Sequence, residues 1–159
     1  MRLKIASILA TAAVLAGCGS NEECVEVHGH GGSTDHAHQF HPGTAADFVH
    51  NAGDRVYYAT DKSGVDKAGH QVIHREADWL KKYNKTVTIQ GHCDERGSVQ
   101  YNLALGERRS NAHKKALMAH GIHDDRIKTV SYGKNRPIVL GHNRAAWAKN
   151  RVSIAVIDN

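Results

Sequence analysis

Apolar positions recur with two different periods along this chain. Between Asp66 and Tyr83, Ile73, Ala77 and Leu80 fall at i, i+4 and i+7, which is one face of a helix, and Ser63 stands ahead of it as an N-cap. Between Val99 and His120, Asn102, Leu105 and Arg109 share a face that runs on through Ala112 and Ala116, and Gly121 supplies a stop. Asp54 to Tyr58, Lys85 to Gly91, Ile127 to Tyr132 and Val152 to Ile157 are short runs rich in β-branched residues and predict strands. Asn143 to Lys149 predicts a short third helix. Strands alternating with helices give one α/β domain of two layers, with the helices packed on one face of the sheet.

The long helix carries a conflict. Arg109 lies in its apolar stripe, so its guanidinium points at the core and needs a partner, because a buried unpaired charge is strongly unfavourable. Asp94, in the turn between the preceding strand and this helix, is the nearest acid in sequence. Two readings stay open on physical grounds. Asp94 and Arg109 form an internal ion pair that supports the turn. Alternatively they face a concave corner and grip a zwitterion, the acid taking an ammonium and the arginine a carboxylate through two parallel hydrogen bonds.

The first 52 residues read differently from the rest. Arg2 and Lys4 precede an apolar stretch, Ile5 to Ala16, that is too short to span a bilayer and reads as a targeting signal. Leu15-Ala16-Gly17-Cys18 resembles a bacterial lipobox, so residues 1–17 are expected to be removed and Cys18 to be lipidated, with Gly19 fitting sorting to the outer membrane. Residues 18–52 are poor in apolar side chains and read as a flexible tether to the domain at 53–159. The tether holds His28, His30, His36, His38 and His41, which without an acid or cysteine frame at fixed spacing read as solvated, so no metal is assigned. Cys24 and Cys93 are widely spaced; a bridge between them competes with the reading of two separate thiols, which is favoured.

Charge narrows the function. The chain carries +5, and losing Arg2 and Lys4 with the signal leaves +3. There is no run of basic residues, and nucleic-acid binding is not expected. His92, Cys93, Asp94 and Glu95 are consecutive and cannot all face one metal, since side chains of extended backbone alternate. No nucleophile–base pattern is present, so an enzyme is not expected, nor a cofactor. Trp79 and Trp147 read as packing residues.

Gly91-His92-Cys93-Asp94-Glu95-Arg96-Gly97, followed by Tyr101-Asn102-Leu103-Ala104-Leu105-Gly106-Glu107-Arg108-Arg109, resembles the OmpA-like peptidoglycan-binding family, in its peptidoglycan-associated lipoprotein branch. The likeness extends to Thr129-Val130-Ser131-Tyr132-Gly133-Lys134, Pro137, Leu140-Gly141-His142 and Ala145-Ala146-Trp147-Ala148-Lys149-Asn150-Arg151, and upstream to Gly53-Asp54-Arg55-Val56-Tyr57-Tyr58 and Thr60-Asp61-Lys62-Ser63. It covers about residues 53–157. The resemblance implies a mixed, largely four-stranded sheet. It implies that Asp94, Asn102 and Arg109 hold the diaminopimelate of the peptidoglycan stem peptide, with Leu105 and Tyr101 as an apolar wall and Thr60, Asp61 and Arg151 bordering the pocket. Where the family usually has Asn-Arg-Arg, this chain has Asn150-Arg151-Val152, so one arginine is missing. The branch further implies a lipid anchor in the outer membrane, facing the periplasm, and partnership with the TolB propeller and other Tol proteins in envelope integrity and division.

Overall fold

The computed structural model describes residues 40–158. The expected signal at 1–17, Cys18, Cys24 and the histidines from 28 to 38 lie outside the described residues. The described chain contains helices α1 (Ala45–Asn51), α2 (Lys67–Tyr83), α3 (Val99–Ala119) and α4 (Arg144–Asn150), and strands β1 (Arg55–Tyr57), β2 (Val87–His92), β3 (Ile127–Gly133) and β4 (Val152–Ile157). The sheet order is β1-β4-β2-β3. β4 lies antiparallel to both β1 and β2, with Val152 opposite Tyr57 and Ile154 opposite Gln90, and β2 runs parallel to β3. The sheet is therefore mixed and four-stranded, and α2 and α3 cover one face, as the alternation predicts.

The helical stripe of α2 becomes the core: Ile73, Ala77 and Leu80 are each 0% exposed, and they meet Val87, Ile89 and Ala155 of the sheet and Leu117 of α3. The cap of α2 differs from expectation. Asp66, not Ser63, takes that position, and its Oδ1 accepts the Gly69 N–H at 2.7 Å. A carboxylate at a helix N-terminus also meets the positive end of the helix dipole, which a hydroxyl does not match.

The tether also ends earlier than residue 52. Residues 45–51 form α1, capped by Thr44, and Phe48 is buried edge-on against Trp79 with ring centroids 5.0 Å apart. Asp47 ties this helix down by accepting from Trp79 Nε1 at 2.7 Å and from the Gly43 N–H at 2.9 Å. The backbone bond from Gly43 is the main influence that holds the Asp47 carboxyl below its ordinary range. One buried aromatic and one buried carboxylate are enough to order seven residues whose composition otherwise reads as linker.

The placement of α3 sets up the functional site. A Cβ at Gly91 of β2 would lie 2.0 Å from the Gly106 carbonyl of α3, so the helix rests directly on strand backbone. Only a glycine at each of these positions lets helix and strand approach this closely. Ser131 of β3 adds a bond to the Leu103 carbonyl at 2.7 Å. The N-terminal half of α3 is thereby pressed against the ends of β2 and β3, and its inward face delivers Asn102, Leu105 and Arg109 to one corner.

Candidate functional site

At that corner Asp61, Cys93, Asp94, Arg96, Asn102, Leu105, Arg109 and Arg151 line one small polar cavity of about 10 Å³, room for about one water, that opens to solvent. They come from three places: the loop after β1, the turn between β2 and α3 with the first turns of α3, and the residue before β4. Six of the predicted site residues are brought together: Asp61, Asp94, Asn102, Leu105, Arg109 and Arg151. Tyr101 is exposed and stands at the rim, where its hydroxyl donates to Asp61 Oδ1 at 3.3 Å. Thr60 is exposed and does not line the cavity.

Arg109 is 0% exposed, as its place in the apolar stripe requires, but its partner is not Asp94. Its Nε donates to the Lys62 carbonyl at 2.9 Å, Nη1 to the His92 carbonyl at 2.8 Å and Nη2 to the Ala59 carbonyl at 3.3 Å. Nη1 also reaches Cys93 Sγ at 3.4 Å, and the guanidinium lies 5.1 Å from the Tyr58 ring. The internal Asp94–Arg109 ion pair is therefore corrected: the two do not pair, and the Nε and Nη1 of the arginine are spent on main-chain carbonyls. Main-chain carbonyls satisfy the buried cation without a second charge. Desolvation still lowers its proton affinity from the ordinary arginine value. Arg109 ties the loop that carries Asp61 to the strand end that carries Asp94.

Asp94 is paired instead with Arg96, which the sequence reading left out. Arg96 Nη2 donates to Oδ2 at 2.7 Å and Nε to Oδ1 at 3.1 Å, a two-point fork, and the Arg96 N–H adds a third bond at 3.2 Å. Arg151 Nη1 reaches Oδ2 at 3.4 Å. Burial alone would raise the Asp94 pKa; the bonds from Arg96, with help from Arg151, outweigh it and hold the carboxyl below its ordinary range. An arginine two residues after the turn acid was visible in the sequence, and its spacing was the available signal. Asn102 is 2% exposed and donates to the Arg96 and Ser98 carbonyls at 2.7 and 3.0 Å, so it fixes the turn that aims Asp94. Leu105, 3% exposed, is the apolar part of the wall.

The remaining acid is less committed. Asp61 is exposed, sits at φ 55° and makes the one bond from Tyr101. Aspartate tolerates the left-handed region better than most side chains. Three guanidinium groups against two carboxylates leave the cavity lining with a net charge of +1. Among the described residues, Arg151 Nη2 makes no hydrogen bond, while its Nε is spent on the Tyr58 carbonyl at 3.0 Å. Val152, where the family has its second arginine, is 0% exposed within β4 and does not line the cavity.

Outside the cavity, Glu95 accepts from Trp147 Nε1 at 2.8 Å and pairs with His142 Nδ1 at 2.6 Å, and Arg96 stacks on the Trp147 ring at 4.5 Å. Consecutive acids thus serve opposite sides of the turn, Asp94 inward and Glu95 outward toward α4. Trp79 packs within the core, whereas Trp147 braces the turn that forms the site.

Comparison with known proteins gives a consistent picture. The family model of the OmpA family matches residues 57–151. The peptidoglycan-associated lipoprotein of Agrobacterium fabrum is 40% identical over 117 residues, covering 73% of this chain and 66% of that protein, just under two thirds of its length. The peptidoglycan-associated lipoprotein of Mesorhizobium japonicum is 36% identical over 150 residues, covering 91% of this chain and 85% of that protein. Among solved structures, the peptidoglycan-associated lipoprotein from Burkholderia pseudomallei superposes with a TM-score of 0.68 at 34% identity, over 72% of this chain and 100% of that one.

Proposed function

Because the chain belongs to the OmpA family, we propose that it is a non-enzymatic envelope lipoprotein that holds peptidoglycan through the cavity between Asp61, Asp94 and Arg151. The observation that carries this reading is the lining itself. Cations and acids converge on one small polar space, with an apolar wall at Leu105. Diaminopimelate ends in an ammonium and a carboxylate on one carbon. Asp61 has lone pairs to spare for the ammonium, Arg151 Nη2 is available to the carboxylate, and the excess positive charge of the lining favours an anion. Asp94, Arg96 and Asn102 hold the shape of the space. Arg109 frames it from below and has one Nη2 hydrogen unspent.

Relatives named as peptidoglycan-associated lipoproteins support the rest of the proposal. Cys18 carries the lipid and sits in the inner leaflet of the outer membrane, the tether reaches toward the wall, and the domain binds the stem peptide. In the same system TolB and other Tol proteins are partners, and the protein supports envelope integrity and constriction at division. Among the described residues no helix is long and apolar enough to cross a membrane, which is consistent with anchoring by acyl chains. A single acyl chain holds a protein only marginally, so several are needed.

Titration of a diaminopimelate muropeptide against the purified domain tests the core of this reading. Saturable binding is expected, weakened by Asp61→Asn and by Arg151→Ala, while a muropeptide with lysine in place of diaminopimelate, which lacks the terminal carboxylate, binds more weakly. Equal binding of both muropeptides would sink the zwitterion assignment. Membrane fractionation of Cys18→Ser tests the anchor; the variant should be found in the soluble periplasm. TolB retention that falls as muropeptide is added marks a shared surface.

A further inference from the structure

A line of polar side chains crosses the core, where apolar contact would be ordinary. Glu76 of α2, His113 of α3 and Ser153 of β4 are each 0% exposed, and Tyr58, directly after β1, is 4% exposed. Glu76 Oε2 meets His113 Nε2 at 2.6 Å, His113 Nδ1 meets Ser153 Oγ at 2.9 Å, and Ser153 Oγ meets the Tyr58 hydroxyl at 2.9 Å. The Tyr58 hydroxyl donates onward to the Arg109 carbonyl at 3.1 Å. Buried polar groups survive when they are bonded to one another, and this line satisfies nearly all of its members; Glu76 Oε1 is the exception.

The order serine, histidine, glutamate is that of a hydrolase relay, yet the Ser153 hydroxyl is fully buried and engaged by both neighbours, so it meets no substrate. The consequence lies at the other end, at Tyr58. Its hydroxyl holds the Arg109 backbone, and its ring lies 5.1 Å from the Arg109 guanidinium. Its carbonyl accepts from Arg151 Nε at 3.0 Å, and its N–H donates to the Arg151 carbonyl at 2.9 Å. Tyr58 therefore contacts both of the deeply set cavity arginines. Burial pushes its phenol up to about 12, so it remains a hydrogen-bond donor at any pH the protein meets.

We propose that Tyr58 is a positioning residue of the ligand cavity, fixed by the Glu76–His113–Ser153 line, and that it holds Arg151 in place for a bound carboxylate against the frame that Arg109 provides. This inference rests on the peptidoglycan reading of the cavity. It predicts that removing one oxygen atom, with no change to any group lining the cavity, weakens the ligand.

The test compares Tyr58→Phe, Ser153→Ala, the double variant and Ile73→Val. The last loses a core methyl outside the cavity lining and serves as a control matched for lost stability. Diaminopimelate muropeptide affinity is measured by calorimetry, and exchange of the Arg109 and Arg151 Nε–H protons by NMR without ligand. Tyr58→Phe and Ser153→Ala should each lower affinity about 5–10-fold, the double variant should be no worse than either single one, and Ile73→Val should leave affinity unchanged. Nε–H exchange should speed up at least about fivefold in Tyr58→Phe and not in Ile73→Val. Unchanged affinity in a folded Tyr58→Phe, or affinity lost equally in Ile73→Val, overturns the proposal. If the parent protein binds no muropeptide, the peptidoglycan reading fails by itself. The exchange rates still decide the positioning role: faster exchange supports it, and exchange equal to the parent's overturns it. Should Tyr58→Phe not fold, Ser153→Ala carries the same comparison.

Discussion

Replacing Arg109 with alanine should damage the fold before it damages the ligand site. The guanidinium donates to the carbonyls of Ala59, Lys62 and His92. Each buried acceptor left without a donor costs about 1–3 kcal/mol. Ala59 and Lys62 lie on an exposed loop and can recover water in part, whereas His92 is 2% exposed and cannot. With the packing of the side chain lost as well, the total comes to roughly 3–5 kcal/mol. That is a large share of the ~5–15 kcal/mol that holds a typical domain together. At about 4 °C per kcal/mol for a domain slightly above 100 residues, the melting temperature should fall by roughly 12–20 °C. Arg109→Lys keeps the charge but cannot span the three carbonyls from one ammonium, so about half the loss is expected. Thermal unfolding by circular dichroism and retention on purified sacculi, measured on the same preparations well below each midpoint, check this. An Arg109→Ala protein that melts within about 3 °C of the parent and no longer binds would refute the framing role and return Arg109 to direct contact with the ligand.

Three further outcomes are expected. The Asp94 carboxyl is held below its ordinary range in the folded state. Its contribution to stability is therefore complete above the unfolded carboxylate value near ~4 and is lost as pH falls through the lower folded value. Urea melts of the parent and Asp94→Asn should differ by a constant amount from about pH 5 upward and converge in more acid solution; a gap that widens on acidification would contradict the pairing with Arg96 and Arg151. Gly91→Ala places a Cβ against the Gly106 carbonyl and should destabilise by about 3 kcal/mol or more, read as a lower urea midpoint; a midpoint equal to the parent's would show that α3 lifts off the sheet freely. Asp61→Asn tolerates the same left-handed backbone, so it should leave melting unchanged and weaken muropeptide binding by at least about tenfold, whereas Thr60→Ala should leave both unchanged.

Periodicity carried most of the layout. α2 follows from apolar spacing because it buries one continuous face, whereas β4, buried at four successive positions from Val152 to Ala155, follows from its run of β-branched residues. α1 was missed because only two of its larger side chains are apolar; what orders it is Asp47 bonding to Trp79, 32 residues away. The Thr44–Asp47 spacing was the local sign of a helix start. Asp94, Asn102, Leu105 and Arg109 could be placed in one corner because a strand, a turn and a helix face determine it. The partner of Arg109 could not be read. Its acceptors are main-chain carbonyls up to 50 residues distant, and a carbonyl has no sequence signature. The departure at Val152 looked like a lost pocket residue because a predicted strand does not say which of its side chains face the cavity; in the structure Val152 is buried in β4 and does not line it.

The sheet order bears on when this domain can form during its own synthesis. Among the described residues β4 is the last strand, yet it lies between β1 and β2, and β1 pairs with no other strand. Arg151, at the entry to β4, completes a cavity whose first residue is Asp61. Contacts across so many residues close slowly, since the loop between them must be ordered before they form. A growing chain therefore holds α2, β2, α3 and β3 without a closed sheet, and without a cavity, until residues 151–157 arrive. Closure of the sheet is therefore timed by residues 151–157, and a chain cut just before them would keep α2, β2, α3 and β3 but neither the partner of β1 nor a closed cavity.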